Sequence, residues 1–256
     1  MENTKNEQTL GEKNGRKNVV GEDQCSGLNA MGVLEQIKGG LIVSCQALEG
    51  EPLHSSIIMA KMAYAAMLGG ARGIRANSSS DILEIKKVVD LPVIGIIKKE
   101  YPDSLVYITP TIEEVARLVA CGCEIIAMDA TNRKRPNNEA LVSFFEEVRR
   151  RYPHQLFMAD CATYEEGRQA AQLGFDLIGT TLNGYTEESV NDPKPNYCLL
   201  SDLVRDSGKP VIAEGNIWSP KQLQLARGCG IHAAVVGSAI TRPMEITKRF
   251  VKAMED

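Results

Sequence analysis

Two charged residues close apolar runs that read as buried strands: Lys98 follows Gly95-Ile96-Ile97, and Glu214 follows Val211-Ile212-Ala213. A charge there carries a desolvation cost, so it needs a partner or a task. An amine and a carboxylate can share one task, proton transfer, in which one accepts a proton while the other donates. The alternative is a structural ion pair with Asp129 or Asp160, which end two other apolar runs. Gln46, Arg75 with Asn77, and Gly237 with Ser238 end three further runs in the same way, and Gly215 and Asn216 follow Glu214. One polar strand end is often merely solvated, but seven such ends in one chain point to a shared site.

The last two of these segments have a second property. Glu214-Gly215-Asn216-Ile217 and Val236-Gly237-Ser238-Ala239-Ile240-Thr241-Arg242 place glycine and free backbone N–H groups where an anion could be bound. Gly237 would let the backbone approach a phosphate, the N–H groups of Ser238 and Ala239 could face its oxygens, and Arg242 could add a charged contact. The plain alternative is a glycine turn that only reverses the chain.

These residues must be positioned by the elements that precede them. From Leu41 onward, short runs rich in Val and Ile alternate with longer segments of helical period, the βαβα pattern of a parallel sheet. The runs lie at 41–45, 73–75, 93–97, 125–128, 155–159, 177–179, 211–213 and 233–236. Helices are expected at about 55–68, 79–89, 111–120, 137–151, 163–173, 196–207, 219–228 and 243–254, with a short capping helix near Met31 to Ile37. Gly69-Gly70, Gly122, Gly174 and Gly228 stand where left-handed caps would end helices. The predicted fold is α/β, a single-domain (β/α)8 TIM barrel over 31–256 with a mobile N-terminal tail at 1–30. A doubly wound sheet would call for a Gly-rich fingerprint after its first strand, where this chain has Cys45-Gln46-Ala47. In a ring of eight, strands 3 and 7 are opposed, so Lys98 and Glu214 would approach a ligand from opposite sides at the C-terminal mouth.

Composition narrows the partners. A net charge of −4 gives no reason to expect nucleic acid or an anionic membrane, and the basic run Arg133-Lys134-Arg135 reads as a solvated loop. The seven cysteines are scattered, form no CxxC pair, and have only His54, His154 and His232 for company, so no metal site is expected from ligand spacing. They read as buried free thiols of a cytoplasmic protein. There is no apolar leader and no run of about 18 apolar residues. Val235, Ile246, Phe250 and Val251 could form an apolar face on which two copies pair as a homodimer, although such a stripe more often packs a helix on its own barrel.

Beyond these readings, the sequence resembles the N-acetylmannosamine-6-phosphate 2-epimerase family from about Met31 to Glu255. The matching stretches are Gly40-Leu41-Ile42-Val43-Ser44-Cys45-Gln46-Ala47, Gly73-Ile74-Arg75-Ala76-Asn77, Pro92-Val93-Ile94-Gly95-Ile96-Ile97-Lys98, Thr109-Pro110-Thr111, Ala127-Met128-Asp129-Ala130-Thr131, Ile178-Gly179-Thr180-Thr181-Leu182-Asn183-Gly184-Tyr185 and Ala213-Glu214-Gly215-Asn216-Ile217. The resemblance implies a barrel enzyme of sialic acid breakdown that interconverts N-acetylmannosamine 6-phosphate and N-acetylglucosamine 6-phosphate without metal or organic cofactor. It implies Lys98 and Glu214 as acid/base residues, and Gln46, Arg75, Asp129 and Asn183 among the substrate contacts. Without it, a Schiff-base aldolase, another sugar-phosphate isomerase or a non-catalytic sugar-phosphate sensor would fit the same barrel.

Overall fold

The computed structural model describes residues 23–190 and 194–255 of the chain. Its strands are β1 (Leu41–Cys45), β2 (Gly73–Asn77), β3 (Val93–Ile96), β4 (Ile125–Asp129), β5 (Leu156–Asp160), β6 (Leu177–Gly179), β7 (Val211–Glu214) and β8 (Ala233–Val236). Each pairs in parallel with its sequence neighbour, and β8 pairs with β1, so the barrel closes. Parallel neighbours need crossovers. These are α2 (Ser56–Leu68), α3 (Ser79–Lys86), α4 (Ile112–Ala120), α5 (Leu141–Arg151), α6 (Tyr164–Leu173), α7 (Tyr197–Asp206) and α8 (Pro220–Gly228). A short α9 (Ser238–Thr241) and α10 (Pro243–Glu255) follow β8, and α1 (Asp23–Ile37) precedes β1.

The period of two along each strand sorts its side chains between two cores. Ile42, Ile94, Ile96, Ile125, Ala127, Leu156, Met158, Leu177, Ile212, Ala233 and Val235 fill the barrel interior. Their alternates, among them Val43, Ile74, Ile126, Phe157, Ile178 and Ala213, pack outward against the helices. Counting on by twos past the inner layers leads from Ile96 to Lys98, from Met158 to Asp160 and from Ile212 to Glu214. The apolar plug below and the helix layer outside therefore force these polar side chains into the mouth.

Local chemistry sets the helix boundaries. Thr111, Thr163 and Ser219 each make a reciprocal capping box with Glu114, Glu166 and Gln222. Gly70 (φ 91°), Gly122 (φ 68°) and Gly174 (φ 96°) take the left-handed turns after α2, α4 and α6. Gly228 does not: α8 runs through it, Cys229 caps in the right-handed region, and Gly230 (φ 84°) makes the turn.

The structure revises four other expectations. Residues 1–22 of the expected tail lie outside the described residues, and from Asp23 the backbone is already helical, with no proline before Ile37 to interrupt α1. The buried Ile37, with Val33 and Leu34 packed on the inner core, closes the bottom of the barrel. Arg135 is not solvated. It is buried, its guanidinium donates to the carbonyls of Thr109, Pro110 and Asp129, and it stacks 3.9 Å over Phe144. Three converging carbonyls supply the hydrogen bonds that a buried cation requires. Among the described cysteines, Cys45, Cys121, Cys123 and Cys161 are buried, whereas Cys198 on α7 is exposed because it faces away from the barrel. The residues proposed as one apolar stripe divide, since Val235 points into the barrel while Phe250 and Val251 are exposed on α10, which buries no residue. No helix among the described residues is long and apolar enough to cross a membrane.

Candidate active site

One cavity of about 350 Å³ opens at the C-terminal end of the strands, and Gln46, Arg75, Lys98, Glu214, Gly215, Asn216, Gly237, Ser238 and Arg242 all line it. Two expected contacts are elsewhere. Asp129 is fully buried and accepts hydrogen bonds from the Thr131 backbone and hydroxyl and from the Arg133 guanidinium, which finishes β4 rather than facing the cavity. Asn183 donates its amide to the Ala162 carbonyl at 2.7 Å and braces the loop after β6.

Arg75, Asp160, Glu214 and Thr181 form the floor. The Arg75 guanidinium is 1% exposed and makes a two-point contact with Asp160, Nη1 to Oδ1 at 3.1 Å and Nη2 to Oδ2 at 2.6 Å. Its Nη1 also lies 3.1 Å from Glu214 Oε2. The expected alternative of Lys98 or Glu214 in an ion pair with Asp129 or Asp160 does not occur; Arg75 takes both Asp160 and Glu214. The Thr181 hydroxyl lies 2.6 Å from Asp160 Oδ1 and 3.1 Å from Glu214 Oε2. Gly179 makes room for this arrangement, since a Cβ there would meet Met158 Cε at 2.2 Å and Thr181 Oγ1 at 3.1 Å.

Lys98 stands one residue past the outward-facing Ile97, across the ring from β7. Its backbone N–H donates to Asn77 Oδ1 at 2.8 Å, and its bridge to Ile108 folds the following loop back over the strand. Asn77 thus holds the backbone of Lys98 instead of facing the ligand space. Burial, with the positive charges of Arg75 and Arg242, lowers the Lys98 pKa to about 8. Burial, with the neighbouring Asp160 charge, raises Glu214 to about 7 against the opposing pull of Arg75. Two groups that ordinarily titrate some six units apart are drawn together near neutrality, where either can hold or release a proton.

The other side of the cavity is backbone and cation. Gly215 (φ 108°) and Asn216 (φ 57°) turn the chain after β7. At Gly237 a Cβ would approach Ser44 Cβ to 3.2 Å, so glycine allows α9 to sit close over β1, where the Thr241 hydroxyl donates to the Ser44 carbonyl at 2.7 Å. Arg242 pairs with Glu51 at 3.0 Å. Sequence reading missed Ser44, Tyr107, Thr181, Trp218 and Arg249, all of which line the cavity. Strand parity would have found Ser44 and Thr181. Arg249, stacked 3.4 Å over Trp218, sits two turns into α10, which starts just after Arg242, and reaches the mouth only because that helix folds back over it. Tyr107 carries no such signal, because its place depends on how the loop after β3 folds back.

With this geometry in view, similarity to known proteins becomes informative. Residues 59–256 match the family described as "Putative N-acetylmannosamine-6-phosphate epimerase". Proteins named "Putative N-acetylmannosamine-6-phosphate 2-epimerase" from Listeria monocytogenes and Clostridioides difficile are each 53% identical, over 87% of this chain and 95% and 99% of theirs. The solved N-acetylmannosamine-6-phosphate 2-epimerase of Clostridium perfringens superposes with a TM-score of 0.83 at 51% identity, covering 86% of this chain and 95% of that one. A thiamine phosphate pyrophosphorylase from Pyrococcus furiosus shares the fold alone, with a TM-score of 0.56 at 16% identity over 81% of this chain and 89% of its own. Family match, near-complete relatives and superposable barrel agree, and the chain belongs to the N-acetylmannosamine-6-phosphate 2-epimerase family.

Proposed function

We propose that this protein is a cofactor-independent, cytoplasmic epimerase of amino sugar and sialic acid breakdown, and that it interconverts N-acetylmannosamine 6-phosphate and N-acetylglucosamine 6-phosphate by moving the C2 proton. The observation that carries the mechanism is the pair Lys98 and Glu214, on opposed strands around one cavity, with proton affinities brought close together.

In the open-chain sugar the C2 hydrogen is α to the C1 aldehyde, which itself accepts the electron pair as an enolate. No further electron sink is required. One group removes the proton from one face, and the other returns a proton to the opposite face. Starting from Lys98 as amine and Glu214 as acid, one turnover leaves ammonium and carboxylate, the form required for the reverse reaction. Both forms hold one proton between them, so a proton passing from Lys98 to Glu214 resets the enzyme. The positive charge of Arg75 at the floor of the cavity offsets the negative charge that develops on the enolate. The 6-phosphate lies against Gly215, Asn216, Gly237 and Ser238, with Arg242 at its edge.

Proton NMR in D2O tests this directly. The wild type should form product with deuterium at C2, whereas a non-catalytic sensor would bind without exchange. Lys98→Met and Glu214→Gln should each lose about 10²–10⁴-fold in turnover. Each should still wash deuterium into one epimer, and a different one. Exchange abolished from both epimers in Lys98→Met, with epimerisation retained in Glu214→Gln, would mean that a single lysine serves both faces. Activity should also persist through exhaustive chelation; loss on EDTA treatment, restored by a divalent ion, would remove the cofactor-free reading.

A further inference from the structure

The Thr181 hydroxyl has one hydrogen and two carboxyl neighbours. Asp160 Oδ1 is 2.6 Å away and Glu214 Oε2 is 3.1 Å away from the same oxygen. The shorter contact takes the hydrogen, because a charge-assisted O–H···O bond has that length. Glu214 Oε2 then lies 3.1 Å from an oxygen whose hydrogen is spent. Two lone pairs at that distance repel, and the contact becomes attractive only when a hydrogen lies on Glu214.

Arg75 does not fill the gap. Its Nη1 is 3.1 Å from Glu214 Oε2, but its hydrogens are aimed at Asp160 Oδ1 and the Met158 sulfur. Glu214 receives charge from this arginine without a hydrogen bond. Asp160 is different: fully buried, it accepts from both Nη atoms and from Thr181. The floor of the site therefore aims its hydrogens at Asp160 and leaves Glu214 Oε2 beside an oxygen with none to give.

We propose that Thr181 is a positioning residue that stabilises the acid form of Glu214, accepting its O–H while donating its own hydrogen to Asp160. The chain Glu214–Thr181–Asp160 keeps the proton that Glu214 delivers on Oε2 between turnovers. It also fixes the carboxyl rotamer, since only Oε2 meets Thr181. This inference rests on the reading in which Glu214 carries a reaction proton. Burial raises the Glu214 proton affinity against the pull of Arg75, and the Asp160 charge adds to the rise; a Thr181 hydroxyl donating to Glu214 would lower it, whereas one whose hydrogen is held by Asp160 can only accept and so raises it.

Thr181→Val removes the hydroxyl at nearly constant volume, and Thr181→Ser keeps it. Infrared difference spectra of the full-length protein without substrate, with Glu214→Gln identifying the Glu214 carboxylic band, would follow the Glu214 titration in each. In Thr181→Val the midpoint should fall, with about tenfold weaker proton affinity, the worth of one buried hydrogen bond to an ionisable group. Thr181→Ser should restore it. The acid limb of the kcat profile should move with the titration. A rise of the midpoint in Thr181→Val would mean that Thr181 donates to ionised Glu214, and an unchanged midpoint would mean that it serves Asp160 alone; either overturns the proposal. Thermal unfolding of Thr181→Val, with Thr181→Ser beside it, separates these outcomes from misfolding. Should Glu214→Gln keep full turnover while Thr181→Val shifts the titration, the relay stands and the catalytic reading of Glu214 fails.

Discussion

At the scale of single residues, proton affinity decides the behaviour. In the proposed mechanism the Lys98–Glu214 pair is active when it carries one proton, whichever partner holds it, so both directions of the reaction should share one bell-shaped pH profile. Turnover should fall below the pKa near 7 of Glu214, where both groups are protonated, and above that near 8 of Lys98, where neither is. Initial rates in both directions across pH would check this; limbs that differ between the two directions would separate the pair into independent groups. The same shifts bear on stability. The Lys98 pKa is lower folded than unfolded, so its cost is fully present below about pH 8 and disappears as pH rises toward the ordinary lysine value. Lys98→Met should therefore unfold at no lower temperature than the wild type at neutral pH while losing turnover.

At the scale of elements, β3 and the loop after it hold Lys98 through packing. Gly95 faces the helix layer, where a Cβ would lie 2.4 Å from Cys123 Sγ, 3.0 Å from Leu118 and 3.2 Å from Ile82. These side chains are buried and short of room to withdraw. Gly95→Ala should destabilise the protein by about 1–3 kcal/mol through overpacking, lowering Tm by about 2–4 °C for each kcal/mol in a chain of this size. Calorimetry would measure it, and an unchanged Tm would show that α4 shifts without cost. Arg135 does comparable work for the loop, tying the carbonyls of Thr109 and Pro110 to that of Asp129.

At the scale of the whole molecule, closure is what makes one site of many strand ends. The barrel needs its bottom sealed, and α1 does this with Ile37, Val33 and Leu34, while His232 meets the Leu34 carbonyl at 2.9 Å and accepts at its own carbonyl from Gly39. Removing residues 1–22 should leave Tm and kcat/KM near wild type. Removing residues 1–38 should cost several kcal/mol, at about 1.5–3 kcal/mol for each large apolar side chain returned to water. Equal thermal stability of the two truncations would show that α1 does not seal the barrel.

Much of this was legible in the sequence because it is periodic. Buried parallel strands write themselves as short Val and Ile runs, helices as longer segments, and their order alone places Lys98, Arg75 and Glu214 at one mouth. The alternation within each strand also specifies which side chains enter the barrel. What the sequence could not specify is how neighbours share partners once they meet. Asp129 and Asp160 end adjacent strands with the same residue type at the same register, yet one is consumed by Thr131 and Arg133 and the other grips Arg75. Arg135 looks solvated beside Arg133 and Lys134 until three carbonyls from distant segments converge on it. Trp218 and Arg249 meet only because α10 folds back over the mouth. Periodicity is a property of the local chain, whereas hydrogen-bond and charge pairing at the mouth depend on angles and distances set by barrel closure, and the tertiary structure alone decides them.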